Sequence, residues 1–218
     1  MLRTQFEEEL EKLHNQFYSM GTEVLAQINK TVRAFVSHDV DLAQEVIAED
    51  DVVNDYEVKL EKKSLEIIAL QQPIAQDLRN VITVLKASSD VERMGDHAVS
   101  VAKATLRMQE ESNYLPAIEA EIKKMGRAVK AMVEDALDAY VTGDADKARD
   151  VAKIDADIDN YFRNIQSQAI EEIRQNPDTI FAGKEYFQVL LYLERIGDYA
   201  KNLCEWVVYL KTGKIIEL

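Results

Sequence analysis

The sequence predicts an all-α fold of two tandem three-helix bundles, six long helices in all, and three observations carry that prediction. Only 7 Gly and 3 Pro occur in 218 residues, while Ala, Leu, Val, Glu, Lys and Asp dominate, the usage of long helices rather than of strands and turns. Apolar residues recur at steps of three and four along most of the chain, the period of one buried helical face. The second half also repeats the first, element for element.

In the first element, Phe6, Leu10, Leu13, Phe17, Met20, Val24, Ile28, Val32 and Phe35 define one continuous helical face. Ser37, His38 and Asp39 break it and offer cap residues. A second helical pattern runs to about Leu70, and Pro73 suits the start of the third, because a first-turn residue needs no amide proton. The third helix reaches about Glu110. Comparable segments follow from about Tyr114 to Thr142, Asp144 to Gln175 and Asp178 to Lys211. A helix of about 30 residues is about 45 Å long, so the two bundles are expected to be elongated and packed side by side.

The repeat is specific. Met20-Gly21 matches Met125-Gly126, Asp39-x-Asp41 matches Asp144-x-Asp146, Asp50 matches Asp155 and Tyr56 matches Tyr161, all at an offset of 105. Val91-Glu92-Arg93-Met94-Gly95-Asp96-His97-Ala98 matches Leu193-Glu194-Arg195-Ile196-Gly197-Asp198-Tyr199-Ala200 at an offset of 102. The missing three residues belong to the turn between Gln71 and Asp77 or to its counterpart. The repeats are therefore assigned to residues 1–110 and 111–218.

Composition narrows the function. The 47% hydrophobic content suffices for a core, and the formal net charge of −14 opposes approach to nucleic acid or an anionic membrane. The lone Cys204 cannot form an internal disulfide, and the acidic stretch from Met1 to Glu11 lacks the order of a signal peptide. A reducing, cytoplasmic setting is expected. No apolar run approaches the roughly 18 to 20 residues that span a bilayer, so any membrane role runs through a protein partner.

Acidic residues interrupt the apolar faces at matching places. On the third helix the stripe Leu78, Ile82, Leu85, Ser89 continues into Glu92 and Asp96, then Val99 and Leu106. Asp50 and Asn54 interrupt Ala43, Val46, Ile47, Val53, Leu65 and Ile68 on the second; Asp155 and Asp159 interrupt its repeat. On the last helix Glu194 and Asp198 line up with Phe187 and Leu191. At 100° per residue these positions are expected to face inward. An unpaired carboxylate there costs several kcal/mol, so protons, cations or water must accompany it. Carboxylates at i and i+4 on facing helices build metal sites in bundles, and oxygen donors with few histidines favour Mg, Mn, Ca or oxidised Fe. Ion pairing to Arg93, Arg195 or Arg79, or a solvated groove, accounts for the same acids equally directly. Both readings stand at this point. Gly95 and Gly197, beside the acids, leave room for a neighbouring helix or a cluster.

The remaining chemistry-bearing residues have simpler readings. His97 is replaced by Tyr199 in the repeat and reads as a surface or half-buried histidine; Cys204 reads as a small core residue; His14 and His38 have no evident partner. The chain has no phosphate-loop, dinucleotide or nucleophile motif, and no catalysis is expected of it.

Gln72-Pro73-Ile74-Ala75-Gln76-Asp77-Leu78-Arg79 with the Glu92-Arg93-Met94-Gly95-Asp96 motif, and Glu194-Arg195-Ile196-Gly197-Asp198 after it, resemble the hallmarks of the PhoU family. Asp50-x-x-Val53-Asn54 and Asp155-x-x-Ile158-Asp159 fit the same pattern, and the likeness covers essentially the whole chain. The resemblance implies a six-helix fold, a homodimer in many members, and negative regulation of phosphate uptake and phosphate-responsive genes. Its implied partners are the ATPase of a phosphate-specific ABC transporter and a sensor histidine kinase. Some members bind metal clusters at acidic motifs, which here implies Asp50, Asn54, Glu92 and Asp96 in one half and Asp155, Asp159, Glu194 and Asp198 in the other. Fe, Mn, Mg, Zn and Ca are the candidate ions. Asn54 departs from an all-carboxylate set and gives the first site less charge. The alternative is a metal-binding bundle whose ions carry the activity themselves.

Overall fold

The structure is a computed structural model that describes residues 2–110 and 113–218, and every regular element in it is helical. The helices are α1 (Leu2–Ser37), α2 (Val40–Ala48), α3 (Asp50–Gln71), α4 (Gln76–Arg107), α5 (Pro116–Thr142), α6 (Ala145–Ala152), α7 (Asp155–Gln175) and α8 (Ile180–Thr212). The expected repeat boundary at 110/111 abuts Glu111 and Ser112, which lie outside the described residues.

Six of these helices are the long ones read from periodicity. The second and fifth of the predicted helices are each broken into a short piece and a long one. Glu49 closes α2 with its backbone N–H donating to Glu45 O, and the Gln27 side-chain amide donates to the Glu49 carbonyl at 3.3 Å. The break is almost in phase, so the apolar rhythm carries through it. Its effect is local: Asp50 and Asp155 become first-turn residues of α3 and α7, where the exposed amide dipoles favour negative charge.

The corners obey the repeat. Asp39 accepts from the Leu42 amide at 3.0 Å, and Asp144 accepts from the Asp146 and Lys147 amides, capping α2 and α6. His38 adopts φ 55 where its repeat counterpart Gly143 has φ 62, so the same left-handed corner is built once with and once without a side chain. Pro73 does not open α4. Gln72 and Ala75 both take positive φ, and the helix begins at Gln76. In the second half a 3-10 turn at Pro177–Thr179 replaces that loop, which is where the offset changes from 105 to 102.

α1, α4, α5 and α8 form the centre, with α4 on α8 and α1 on α5; α2 and α3 cover one flank, α6 and α7 the other. One hydrophobic core draws on both halves, including Phe17, Met20, Met94, Met125, Tyr186 and Ile196. Close approach of α1 to α5 depends on small residues: a Cβ on Gly21 would meet the Leu137 side chain at 2.5 Å, and one on Gly126 would meet Val32 at 2.7 Å.

The buried line of α4 is Val81, Val84, Ala87, Val91, Met94, Ala98 and Val101. The expected inward stripe lies one residue further round, about 100° away. Ile82, Leu85, Ser89 and Glu92 are only half-buried, and Asp96 is exposed. Leu65 and Leu191, also placed inward by periodicity, are 53% and 42% exposed. The acids therefore border grooves rather than occupy the core.

Candidate functional site

Each groove starts from a glycine. A Cβ on Gly95 would lie 3.3 Å from Val53 Cγ1 and Gln27 Oε1, and one on Gly197 would lie 3.2 Å from Ile158 Cδ1 and 3.7 Å from Asp155 Oδ1. The glycine of each Glu-Arg-x-Gly-Asp motif thus serves the approach of α3 to α4, or of α7 to α8. Close approach puts the first-turn acids of one helix beside the motif acids of the other.

The charges respond to one another. Burial raises the Asp50 carboxyl above its usual range, and the Asp96 charge raises it further. Glu92 is pushed up to about 7 by burial first, then by Asp96 and Glu57. In the second groove burial raises Glu194, reinforced by Asp198, Asp159 and Asp155; Asp198 is raised by burial and then by Asp155. The predicted residues fall into two groups, Asp50, Asn54, Glu92 and Asp96 in one half and Asp155, Asp159, Glu194 and Asp198 in the other. Glu57 joins the first without having been expected, since its repeat counterpart is Phe162 and the halves give no shared signal there.

The two groups differ in their cations. Lys201 Nζ lies 3.3 Å from Asp155 Oδ2, and Arg195 lies 3.3 Å from Asp198 Oδ2 and 3.9 Å from Glu194 Oε2. These pairs are partly exposed and worth about 0–1 kcal/mol each. In the first group no described cation comes within ion-pair distance of Asp50, Glu92 or Asp96. Arg93 instead sits 5.7 Å over the Tyr199 ring, and Arg79 donates to Gln76 Oε1 at 2.6 Å. Ion pairing therefore accounts for part of the second group and none of the first.

Asp50 Oδ1, Asn54 Oδ1 and Glu194 Oε2 are buried acceptors without a hydrogen-bond donor. Acceptors in that condition, among like charges and with oxygen the only ligand atom on offer, fit a hard cation in kind. Among the described residues, however, no three His, Cys, Asp or Glu side chains are already gathered as a coordination sphere. The groups have the donors for a metal without its finished geometry.

Several polar residues that periodicity left unplaced have definite partners. His38 stacks on Tyr114 with ring centroids 3.8 Å apart, and its Nε2 lies 3.3 Å from Glu119 Oε1. Buried Glu119 accepts from the Tyr186 hydroxyl at 2.7 Å, which accepts from the Leu115 amide at 2.9 Å. His14 bonds Tyr140 across the α1–α5 contact. His97 is half-buried between Tyr192 and Tyr199, and Cys204 is wholly buried, its thiol pushed up to about 12 by desolvation.

Comparison with known proteins places this architecture. A family model described as the PhoU domain matches residues 17–105 and 122–207, once on each half. A phosphate-specific transport system accessory protein PhoU homolog from Clostridium acetobutylicum is 40% identical over 219 residues, covering 100% of this chain and 99% of the relative. The homolog from Streptococcus pneumoniae is 36% identical over 217 residues, covering 100% of both. Among solved structures, the phosphate transport system regulatory protein PhoU from Streptococcus pneumoniae superposes with a TM-score of 0.91 at 33% identity, over 98% of this chain and 100% of that one. PhoU from Pseudomonas aeruginosa gives 0.92 at 35% identity, over 96% and 100%.

Proposed function

Since the chain belongs to the PhoU domain family, we propose that it is an accessory regulator of a phosphate-specific transport system. It acts by docking and not as an enzyme, restraining phosphate uptake through the transporter's cytoplasmic ATPase and reporting transporter state to a sensor histidine kinase. The observation that carries this reading is the end-to-end correspondence with accessory proteins of that name. No helix among the described residues is long and apolar enough to cross a membrane, which agrees with attachment through partners. A cytoplasmic homodimer is part of the proposal.

Asp50, Asn54, Glu92 and Asp96 would hold a metal in the first half, and Asp155, Asp159, Glu194 and Asp198 in the second; Fe, Mn, Mg, Zn and Ca are the ions in question. Such an ion would supply the positive charge that these groups lack and tie α3 to α4 and α7 to α8. The protein's own residues would satisfy it with oxygen atoms, in competition with the proton at Glu92, whose carboxyl is pushed up to about 7. The orphaned acceptors also favour a second reading, in which the bound metal itself carries an activity.

Tagged protein expressed with the transporter ATPase and the sensor kinase should co-purify with one or both, and disrupting its gene should raise phosphate uptake in phosphate-replete cells. Absence of both effects removes the regulatory reading. Elemental analysis of protein purified without added metal, joined to oxidase and phosphatase assays, decides the second: stoichiometric metal with turnover supports it, and metal without turnover leaves the ion structural.

A further inference from the structure

Between the last turns of α7 and the start of α8 lies an apolar trough of about 480 Å³, walled by Ile170, Ile173, Ile180 and Phe187. The charged residues lining it are Arg174 and Lys184; no acid does so. Beside it Phe181 is 74% and Ile180 56% exposed, apolar surface that the core does not use. At the offsets of 105 and 102 the walls correspond to Leu65, Ile68, Leu78 and Leu85, so the first half repeats the apolar positions. Arg174 and Lys184, however, correspond to Ala69 and Ile82. The two cations are what the second half adds.

We propose that this trough is the docking site for a short amphipathic helix with acidic flanks. Its apolar row, at i, i+3 or i+4 and i+7, enters between α7 and α8, and its carboxylates meet Arg174 and Lys184. Charge selects this occupant. With 40 acidic against 26 basic residues, the chain as a whole repels an acidic partner, and this trough is apolar with cationic walls. Both cations are free to turn to a partner. Arg174 has a surface contact with Glu171 at 3.5 Å, and Lys184 lies 3.5 Å from Glu185, which Arg107 already satisfies at 2.7 Å. The proposal rests on the reading that the protein works by docking, and it specifies the chemistry of the contact.

Two fluorescein-labelled helical peptides with one apolar row, one flanked by Glu and one by Lys, test it by anisotropy on the full chain. The Glu peptide should bind about ten-fold tighter at low salt, the difference shrinking as salt screens it. Ile180→Ser with Phe181→Ser should weaken both peptides with the thermal melt unchanged, since both side chains are exposed. Arg174→Glu with Lys184→Glu should reverse the preference. Binding of neither peptide, equal binding of both, or indifference to these substitutions overturns the proposal. So does a concentration-dependent dimer that Phe181→Ser disperses, which would make a second copy the occupant. If neither peptide binds yet the chain still co-purifies with the transporter ATPase, the trough assignment fails and the docking function stands; loss of both removes the function as well.

Discussion

Glu92 shows most directly what the acidic grooves cost. Its carboxyl is raised to about 7 from 4.5 because burial strips water from it and Asp96 and Glu57 repel its charge. An acid whose folded value is raised binds protons more tightly in the native state. Metal-free stability should therefore rise as pH falls from about 7 toward 4.5, and the penalty is complete above 7. Glu92→Gln should stabilise the metal-free protein at about pH 8 by on the order of 1 kcal/mol, allowing for partial solvation, and the gain should vanish near the ordinary glutamate value. Chelator-treated thermal melts across pH check this. Glu194→Gln with Asp198→Asn should give a smaller gain, because Arg195 and Lys201 already offset the second group. It should also abolish any metal-induced rise in melting temperature contributed by that groove. A metal-free Glu92→Gln protein less stable than wild type at about pH 8 would mean that a donor stabilises the ionised carboxylate, and would end the cation reading of the first groove. The acids themselves were legible in the sequence because the motif recurs. Their exposure was not, since one residue of phase turns a helix by about 100° and the periodic pattern tolerates that slip.

Among the elements, the α1–α5 crossing depends on two glycines that repeat the same Met-Gly dipeptide against different neighbours. A methyl on Gly126 would lie 2.7 Å from both Val32 γ-carbons, and valine in a helix has essentially one rotamer, so it cannot swing aside. Gly126→Ala should lower stability by about 1–2 kcal/mol, overpacking outweighing the gain in helix propensity. Adding Val32→Ala should return part of that loss, with a favourable coupling in the double-mutant cycle measured by urea unfolding. Gly21→Ala should be milder, because its obstacle is the end of the flexible Leu137 side chain. Additive single effects would show that the crossing has slack. The sequence made the six long helices legible, and the pairing of Met20-Gly21 with Met125-Gly126 marked a special place in each half. It did not reveal the breaks at Glu49 and after Ala152, because an interruption of one or two residues leaves the apolar rhythm nearly in register. Nor did it distinguish Pro73 as part of a left-handed loop from Pro73 as a helix start, since proline suits both settings.

For the whole molecule the decisive fact is that the halves complete one another's core. Phe17 and Phe35 of the first half are 0% and 1% exposed, and they lie against Tyr140 and Tyr186 of the second, with ring centroids 4.5 Å and 5.8 Å apart. Asp90, whose carboxyl burial raises, accepts from Trp206 Nε1 at 2.8 Å across the α4–α8 contact. A fragment of residues 1–108 keeps α1 to α4 and loses every one of these partners. Each of the two phenylalanines then returns to water at about 1.5–3 kcal/mol, and the α1 and α4 faces that met α5 and α8 become an exposed apolar surface. Helices of this length retain much of their backbone hydrogen bonding, so the fragment should keep a helical circular-dichroism spectrum while losing a cooperative melt. By light scattering it should self-associate, and adding separately produced residues 113–218 should restore a heterodimer that melts cooperatively. A monomeric 1–108 fragment with a sharp transition of its own would show instead that each repeat closes its own core and that the contact between halves is secondary.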